Sequence, residues 1–307
     1  MKESYMVGES PALKKLHNFI QKAANSDSNV LIIGESGVGK ELAANAIHYE
    51  SIRKHKPLIK LNCGDLNENL LESELFGHKK GSFTGAFGDK QGLIEEADGG
   101  TFFFDEIGDI CPTFQAKLLT VVEQKELRRV GENMPRKIDA RFIFATNRDL
   151  ARLVAKGKFR IDLFYRINIL TFYIPPLRER KEDVSQLIEY IMKQECARKS
   201  AKFSITKEAK AKLLLHSYPG NVRELQNILR RACDLATSEI LFEEDISFQG
   251  IPQLKPTENR KCGFIAVIEA LRKSCGNKSK AAKMLGISRV QLYRILGHET
   301  TTRDPER

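Results

Sequence analysis

The sequence predicts an α/β fold, a five-stranded parallel sheet with helices on both faces, followed by a helical domain and a C-terminal helix-turn-helix. Three observations predict it. Five short runs rich in β-branched and aromatic residues, Val30–Ile33, Leu58–Cys63, Thr101–Asp105, Arg141–Asn147 and Ile169–Ile174, alternate with helical stretches. Nearly all-apolar strands set between helices belong to parallel sheets buried on both faces. Beyond Pro175-Pro176 the strand-like runs stop, and residues 182–199, 206–216 and 221–236 carry helical periodicity instead. The last ~40 residues are helical again and strongly basic. The expected organisation is therefore an α/β core over residues 1–175, a helical lid over 176–249, a linker over 250–259 and a helix-turn-helix over 260–307.

Composition limits the possible partners. The chain has 307 residues, enough for more than one domain, and its 41% hydrophobic content supports a real core. A formal charge of +10 favours an acidic partner, with nucleic acid the usual one and an anionic membrane the less common one. No apolar run approaches the ~18 to 20 residues that a membrane span needs, and the opening MKESYMVGES is not a signal peptide. The six cysteines are scattered without the short spacing of a zinc or redox pair, which fits reduced thiols in a cytoplasmic protein.

Active sites of open α/β sheets lie at the carboxyl ends of the strands. Four of the five runs end in or beside a chemically useful group: Gly34, Asn62, Asp105 and Asn147. After the first strand, Gly34-Glu35-Ser36-Gly37-Val38-Gly39-Lys40 matches the phosphate-loop pattern and opens a helix. Its glycines let successive backbone N–H groups point at a triphosphate, and Lys40 and the positive end of the helix add charge. The hydroxyl that usually follows the lysine and holds Mg²⁺ is replaced by Glu41. The strand Thr101–Asp105 followed by Glu106 supplies the missing chemistry: Asp105 to hold Mg²⁺, Glu106 to polarise the water that attacks ATP. Thr146 and Asn147 are placed either to sense the γ-phosphate or to cap the next turn.

Arg160 and Arg166 bracket a short amphipathic helix. Their spacing alone fits both a solvated face and guanidinium groups offered to a neighbouring subunit's ATP. Arg223, opening a lid helix in Pro219-Gly-Asn-Val-Arg-Glu-Leu, can reach the phosphates of its own subunit.

The run from Glu74 to Phe87 contains Gly81-Ser82-Phe83-Thr84-Gly85-Ala86, which resembles the GAFTGA loop of bacterial enhancer-binding proteins, the AAA+ activators of sigma-54 RNA polymerase. The resemblance covers nearly the whole chain through VGESPALKKL, the phosphate loop, FFFDEIGD, ATNRDL, FRIDLFYR, PPLRERKED and YPGNVREL. It implies an AAA+ fold and a hexameric or heptameric homo-oligomeric ring hydrolysing ATP at its subunit interfaces. A loop raised from the ring engages the sigma-54 RNA polymerase holoenzyme and drives the closed promoter complex open. Residue by residue it implies contact and coupling by Phe83 and Thr84, a switch role for Asn62 in holding Glu106, trans-acting Arg160 and Arg166, and sensor Arg223. Glu41 is normal in this family. Ser82 stands where the family has alanine, adding a hydroxyl, and Tyr218 where it usually has tryptophan.

The C-terminal stretch predicts three helices, Phe264–Ser274, Asn277–Leu285 and Ser288–Leu296. Ala281 and Ala282 let helices cross closely, with Ile287, Leu292 and Leu296 facing inward. Arg289, Gln291, Tyr293 and Arg294 then face the major groove, while Lys278, Ser279 and Lys280 suit phosphate. This resembles the Fis-type module that binds double-stranded enhancer DNA as a dimer in the same family. Met1 precedes the ATPase motifs by only a few residues, which leaves no room for a receiver or sensing domain. A separate regulatory partner, constitutive competence and a fragment all remain open. Two rival readings are a regulator whose ATPase serves only as an oligomerisation switch and a DNA-translocating AAA+ motor. The Phe-Thr-Gly core of the loop argues against the first, the helix-turn-helix against the second.

Overall fold

The computed structural model describes residues 6–64, 68–83, 85–248, 270, 274, 278–286 and 292. These divide into two compact units, one drawn from Met1–Arg148 and Arg160–Gln253, the other from Asp149–Phe159 and Leu254–Arg307.

In the larger unit, helix α1 (Pro11–Ala24) starts on Ser10, whose hydroxyl accepts the Leu13 N–H, with proline at the first helical position. Strand β1 (Val30–Ile33), helix α2 (Lys40–Tyr49) and strand β2 (Leu58–Asn62) follow. Helix α3 (Glu68–Phe76) leads into a hairpin of β3 (Gly77–His78) and β4 (Lys90–Gln91), then the short helix α4 (Leu93–Glu96) and strand β5 (Thr101–Asp105). Helix α5 (Pro112–Gln124) precedes a second hairpin, β6 (Glu126–Leu127) with β7 (Arg136–Lys137), and strand β8 (Arg141–Thr146). Helix α6 (Leu150–Ala155) belongs to the other unit. Helix α7 (Ile161–Ile167) and strand β9 (Leu170–Tyr173) complete the core.

The main sheet is the predicted one: five strands in the order β2-β5-β8-β1-β9, with every pairing parallel. Alternation along the strands sorts side chains to two faces. Val30, Ile32, Phe103, Ile143 and Ala145 pack with Leu16 and Ile20 of α1 and Ala43 and Ile47 of α2. The alternate positions Phe104 and Phe144 stack with centroids 5.3 Å apart. The register sets Asn62 opposite Asp105 and Ile33 opposite Thr146, so the strand ends carrying polar groups share one rim.

The lid consists of α8 (Glu182–Lys199), α9 (Lys207–Leu215) and α10 (Asn221–Leu235), with a small parallel pair Ser204–Ile205 and Ile240–Leu241. Leu225, Ile228, Leu229 and Ala232 form the buried stripe of α10, at the spacing an amphipathic helix requires. Tyr218 is buried beside them and donates its hydroxyl to the Leu213 carbonyl at 2.6 Å, so its polar atom is satisfied.

In the smaller unit Lys278–Leu285 is helical, and Ala270, Ala281, Ala282 and Leu292 pack together. This agrees with the close-crossing alanines and inward Leu292 read from the sequence. Ile287, Leu296, Arg289, Gln291, Tyr293 and Arg294 lie outside the described residues.

Candidate functional site

The phosphate loop joins β1 to α2 through two left-handed glycines, Gly37 at φ 77° and Gly39 at φ 103°. At Gly37 the need for glycine is double, because an added Cβ would also lie 2.4 Å from the Gly220 carbonyl. Helix α2 begins on Gly39 with no side-chain cap, which leaves its amino-terminal turn as a place for an anion. Lys40 is buried at 6% exposure, and its ammonium reaches the Gly34 carbonyl at 3.2 Å and a Glu106 carboxylate oxygen at 3.2 Å.

Glu106 is a non-glycine residue at φ 54°. That unfavourable backbone turns its carboxylate into the site, where it also accepts the Asn147 N–H at 3.0 Å. Asp105 accepts the Glu106 N–H at 3.0 Å, and burial pushes its pKa above the ordinary carboxylate value. Its oxygens are hard donors of the type Mg²⁺ prefers. Beneath them Cys63 is buried, and burial first, then the negative field of Asp105, Asp109 and Glu106, pushes its thiol far up and keeps it protonated. Cys63, Cys111, Cys196 and Cys233 are all free thiols, as expected; Cys262 and Cys275 lie outside the described residues.

The structure thus gathers Lys40, Glu106, Asp105 and the Asn147 amide at one rim. Other predicted residues sit differently. Asn62 does not hold Glu106: its Oδ1 accepts the Gly64 N–H at 3.1 Å in a local turn, and the two bonds to Glu106 come from Lys40 and Asn147. The Thr146 hydroxyl accepts the Arg148 N–H at 3.0 Å, which is the capping alternative. Glu41 points to Lys60 at 2.9 Å. Glu35 turns towards the lid, where Arg178 donates two parallel bonds at 2.8 and 2.6 Å and Asn221 a third at 3.1 Å. Those bonds hold the Glu35 carboxyl below the ordinary glutamate value, Arg178 contributing most. The Ser36 hydroxyl oxygen accepts a bond from the Arg223 guanidinium at 2.9 Å. Arg160 is exposed and forks onto Asp162 at 3.0 and 2.7 Å, while Arg166 meets Glu123 at 2.6 Å.

The loop from Gly81 to Ala86 rides on the β3–β4 hairpin and is closed by Gly81 N–H to Ala86 carbonyl and Ala86 N–H to Phe83 carbonyl bonds of 2.9 and 3.1 Å. At its base Lys79 pairs with Asp89. Phe83 is 43% exposed, edge-on to His78, and Phe87 is 89% exposed. Thr84 lies outside the described residues. The hydroxyl that Ser82 adds to the loop turns inward. Its Oγ is buried without a partner among the described residues, and a Cβ at Gly131, between β6 and β7, would lie 2.7 Å from the Ser82 Cβ. Residues missed by the sequence reading, Arg178, Arg180 and Asn221, all bond to the phosphate loop; the motifs PPLRERKED and YPGNVREL contained them without marking their targets.

The parallel sheet, the phosphate loop with its acid pair and the helical lid define an AAA+ phosphate-loop ATPase core. The chain belongs to the sigma-54 interaction domain family, whose model matches residues 6–173, followed by matches to the AAA+ ATPase lid domain over 178–261 and the Fis family of bacterial regulatory proteins over 265–296. It is 43% identical over 305 residues to a Nif-specific regulatory protein of Azotobacter vinelandii, covering 95% of this chain and 58% of that protein. It is 46% identical over 300 residues to the transcriptional regulatory protein ZraR of Klebsiella oxytoca, covering 94% and 67%. Crystal structures of NtrX from Brucella abortus in complex with ADP and with ATP match with TM-scores of 0.74 and 0.73 at 32% identity, over 95% and 96% of this chain and 69% of each NtrX chain. Among the described residues no helix is long and apolar enough to cross a membrane.

Proposed function

We propose that this chain is a sigma-54-dependent transcriptional activator that binds enhancer DNA and hydrolyses ATP in a homo-oligomeric ring, acting in the cytoplasm. Hydrolysis drives remodelling of the sigma-54 polymerase closed complex into an open one. The observation that carries this reading is the coexistence, in one compact unit, of the Lys40–Glu106–Asp105 rim and a hairpin presenting the partly exposed Phe83 in the GSFTGA sequence.

In this reading the phosphate loop from Gly34 to Glu41 and Asn147 bind ATP, with Lys40 leaving Glu106 to meet the triphosphate oxygens. Glu106, once released, accepts a proton from the attacking water. Asp105 holds Mg²⁺, which supplies charge neutralisation on the phosphates when bound. Arg160 and Arg166 act across the subunit boundary by exchanging Asp162 and Glu123 for a neighbour's ATP, Arg223 acts within its own subunit, and Asn62 reaches Glu106 only after leaving its turn. Gly81 to Ala86 contacts sigma-54. The exposed Lys278, Ser279 and Lys280 meet DNA phosphates, and Arg289, Gln291, Tyr293 and Arg294 read bases.

Promoter melting by purified sigma-54 polymerase with this chain and ATP tests the reading, beside Lys40→Ala and Thr84→Ala controls. Melting that requires ATP and is lost in both controls is the expected result. Normal ATP hydrolysis without melting in any condition overturns the activator reading and favours the regulator that uses its ATPase only to assemble.

A further inference from the structure

Three consecutive carbonyls of the phosphate loop are held by the lid. Ser36 O accepts from Asn221 Nδ2 at 3.0 Å, Gly37 O from the Val222 N–H at 3.1 Å and Val38 O from Arg180 at 3.0 Å. In a planar trans peptide the carbonyl and the following N–H point to opposite sides. Fixing these three oxygens on the lid side therefore turns the N–H groups of Gly37, Val38 and Gly39 the other way, as a row of donors.

The donors on the lid are themselves held in place. Asn221 is fully buried at φ 56°, and its Oδ1 accepts the Leu177 N–H at 2.8 Å, which fixes the amide so that Nδ2 faces the loop. Arg180 is 3% exposed. Arg178 forks onto Glu35 from the same lid segment. Gly37 and Gly220 approach so closely that no side chain fits between them.

We propose that Asn221, Arg180 and Arg178 are positioning residues through which the lid aims the backbone donors of the phosphate loop at the triphosphate. The proposal rests on the ATP-binding reading given above. None of the three has to touch nucleotide. Their effect falls on how well the loop is preorganised, so it weakens substrate and transition-state binding alike and reads out in nucleotide affinity more than in turnover. Coupling is reciprocal: whatever pulls the lid from the loop loosens nucleotide, and nucleotide leaving frees the lid.

The test measures Kd for a fluorescent ATP analogue, and KM and kcat for ATP, on the full chain. Asn221→Gly keeps the left-handed backbone and removes only the amide, and is expected to raise Kd about tenfold with kcat within about threefold. Arg178→Ala, at a partly exposed pair, is expected to raise Kd about three- to fivefold while lowering the nucleotide-free melting temperature by no more than about 3 °C. Wild-type binding with both single variants within twofold of it overturns this inference alone. A wild-type chain that binds no ATP overturns the nucleotide reading and this inference with it.

Discussion

The phosphate loop and the Gly81–Ala86 loop use the same residue for opposite reasons. A Cβ added to Gly34, Gly37 or Gly39 would meet other atoms at 2.9, 2.4 and 2.6 Å. One added to Gly81 or Gly88 would meet nothing within 4 Å among the described residues. The first loop is packed against the lid, which takes three of its carbonyls, and its lysine is buried. The second has open surroundings and apolar rings partly or largely exposed at its tip. Glycine in the first serves close approach, which a stationary ligand cradle needs. In the second, Gly81 at φ 82° and Gly85 at φ 110° serve only the backbone turn. A glycine-rich motif thus says little until its neighbours are known.

The sharpest way to break this contrast is Gly37→Ala. Steric conflict with Gly220 and strain at positive φ are expected to lower ATP affinity more than about 100-fold, measured by equilibrium binding. Acid titration of the Glu35–Arg178 link comes next. Glu35 is held below its ordinary value, so the stability it contributes is complete above about pH 4.3 and is lost as pH falls through the lowered folded value. The difference in melting temperature between wild type and Glu35→Gln is expected to be constant from pH 7 to about 5 and to shrink only below that. Ser82→Ala removes a buried hydroxyl that has no partner among the described residues, and is expected to steady the loop by about 1 kcal/mol. Amide exchange at Ala86 then slows about fivefold; unchanged exchange means that the hydroxyl finds a partner in solution. Gly88→Ala is expected to change neither ATP affinity nor exchange, its effect lying within about 0.5 kcal/mol.

What could be read from the sequence followed from periodicity and chain-local motifs. Val30–Ile33, Thr101–Asp105 and Glu182–Lys199 were visible to the residue because apolar runs and helical spacing mark them. The Lys40, Asp105, Glu106 and Asn147 group was visible because strand ends of a parallel sheet share a rim. Two-residue strands such as Gly77–His78 and Glu126–Leu127 have no periodicity to detect. The lid's hold on the phosphate loop was hidden for another reason: Arg180 to Val38 and Asn221 to Ser36 span 142 and 185 residues of chain. The inward turn of Ser82 was equally invisible, because it depends on Gly131 in a separate hairpin.

The base of the β3–β4 hairpin carries a mechanical consequence. Gly77 and Gly92 face each other with no side chain between them: a Cβ on Gly77 would lie 2.5 Å from the Lys90 carbonyl, and one on Gly92 2.3 Å from the Leu75 carbonyl. Two backbones in direct contact leave no slack at this joint. A displacement of α3 is therefore expected to carry the base of the hairpin with it, as a crank turns with its shaft.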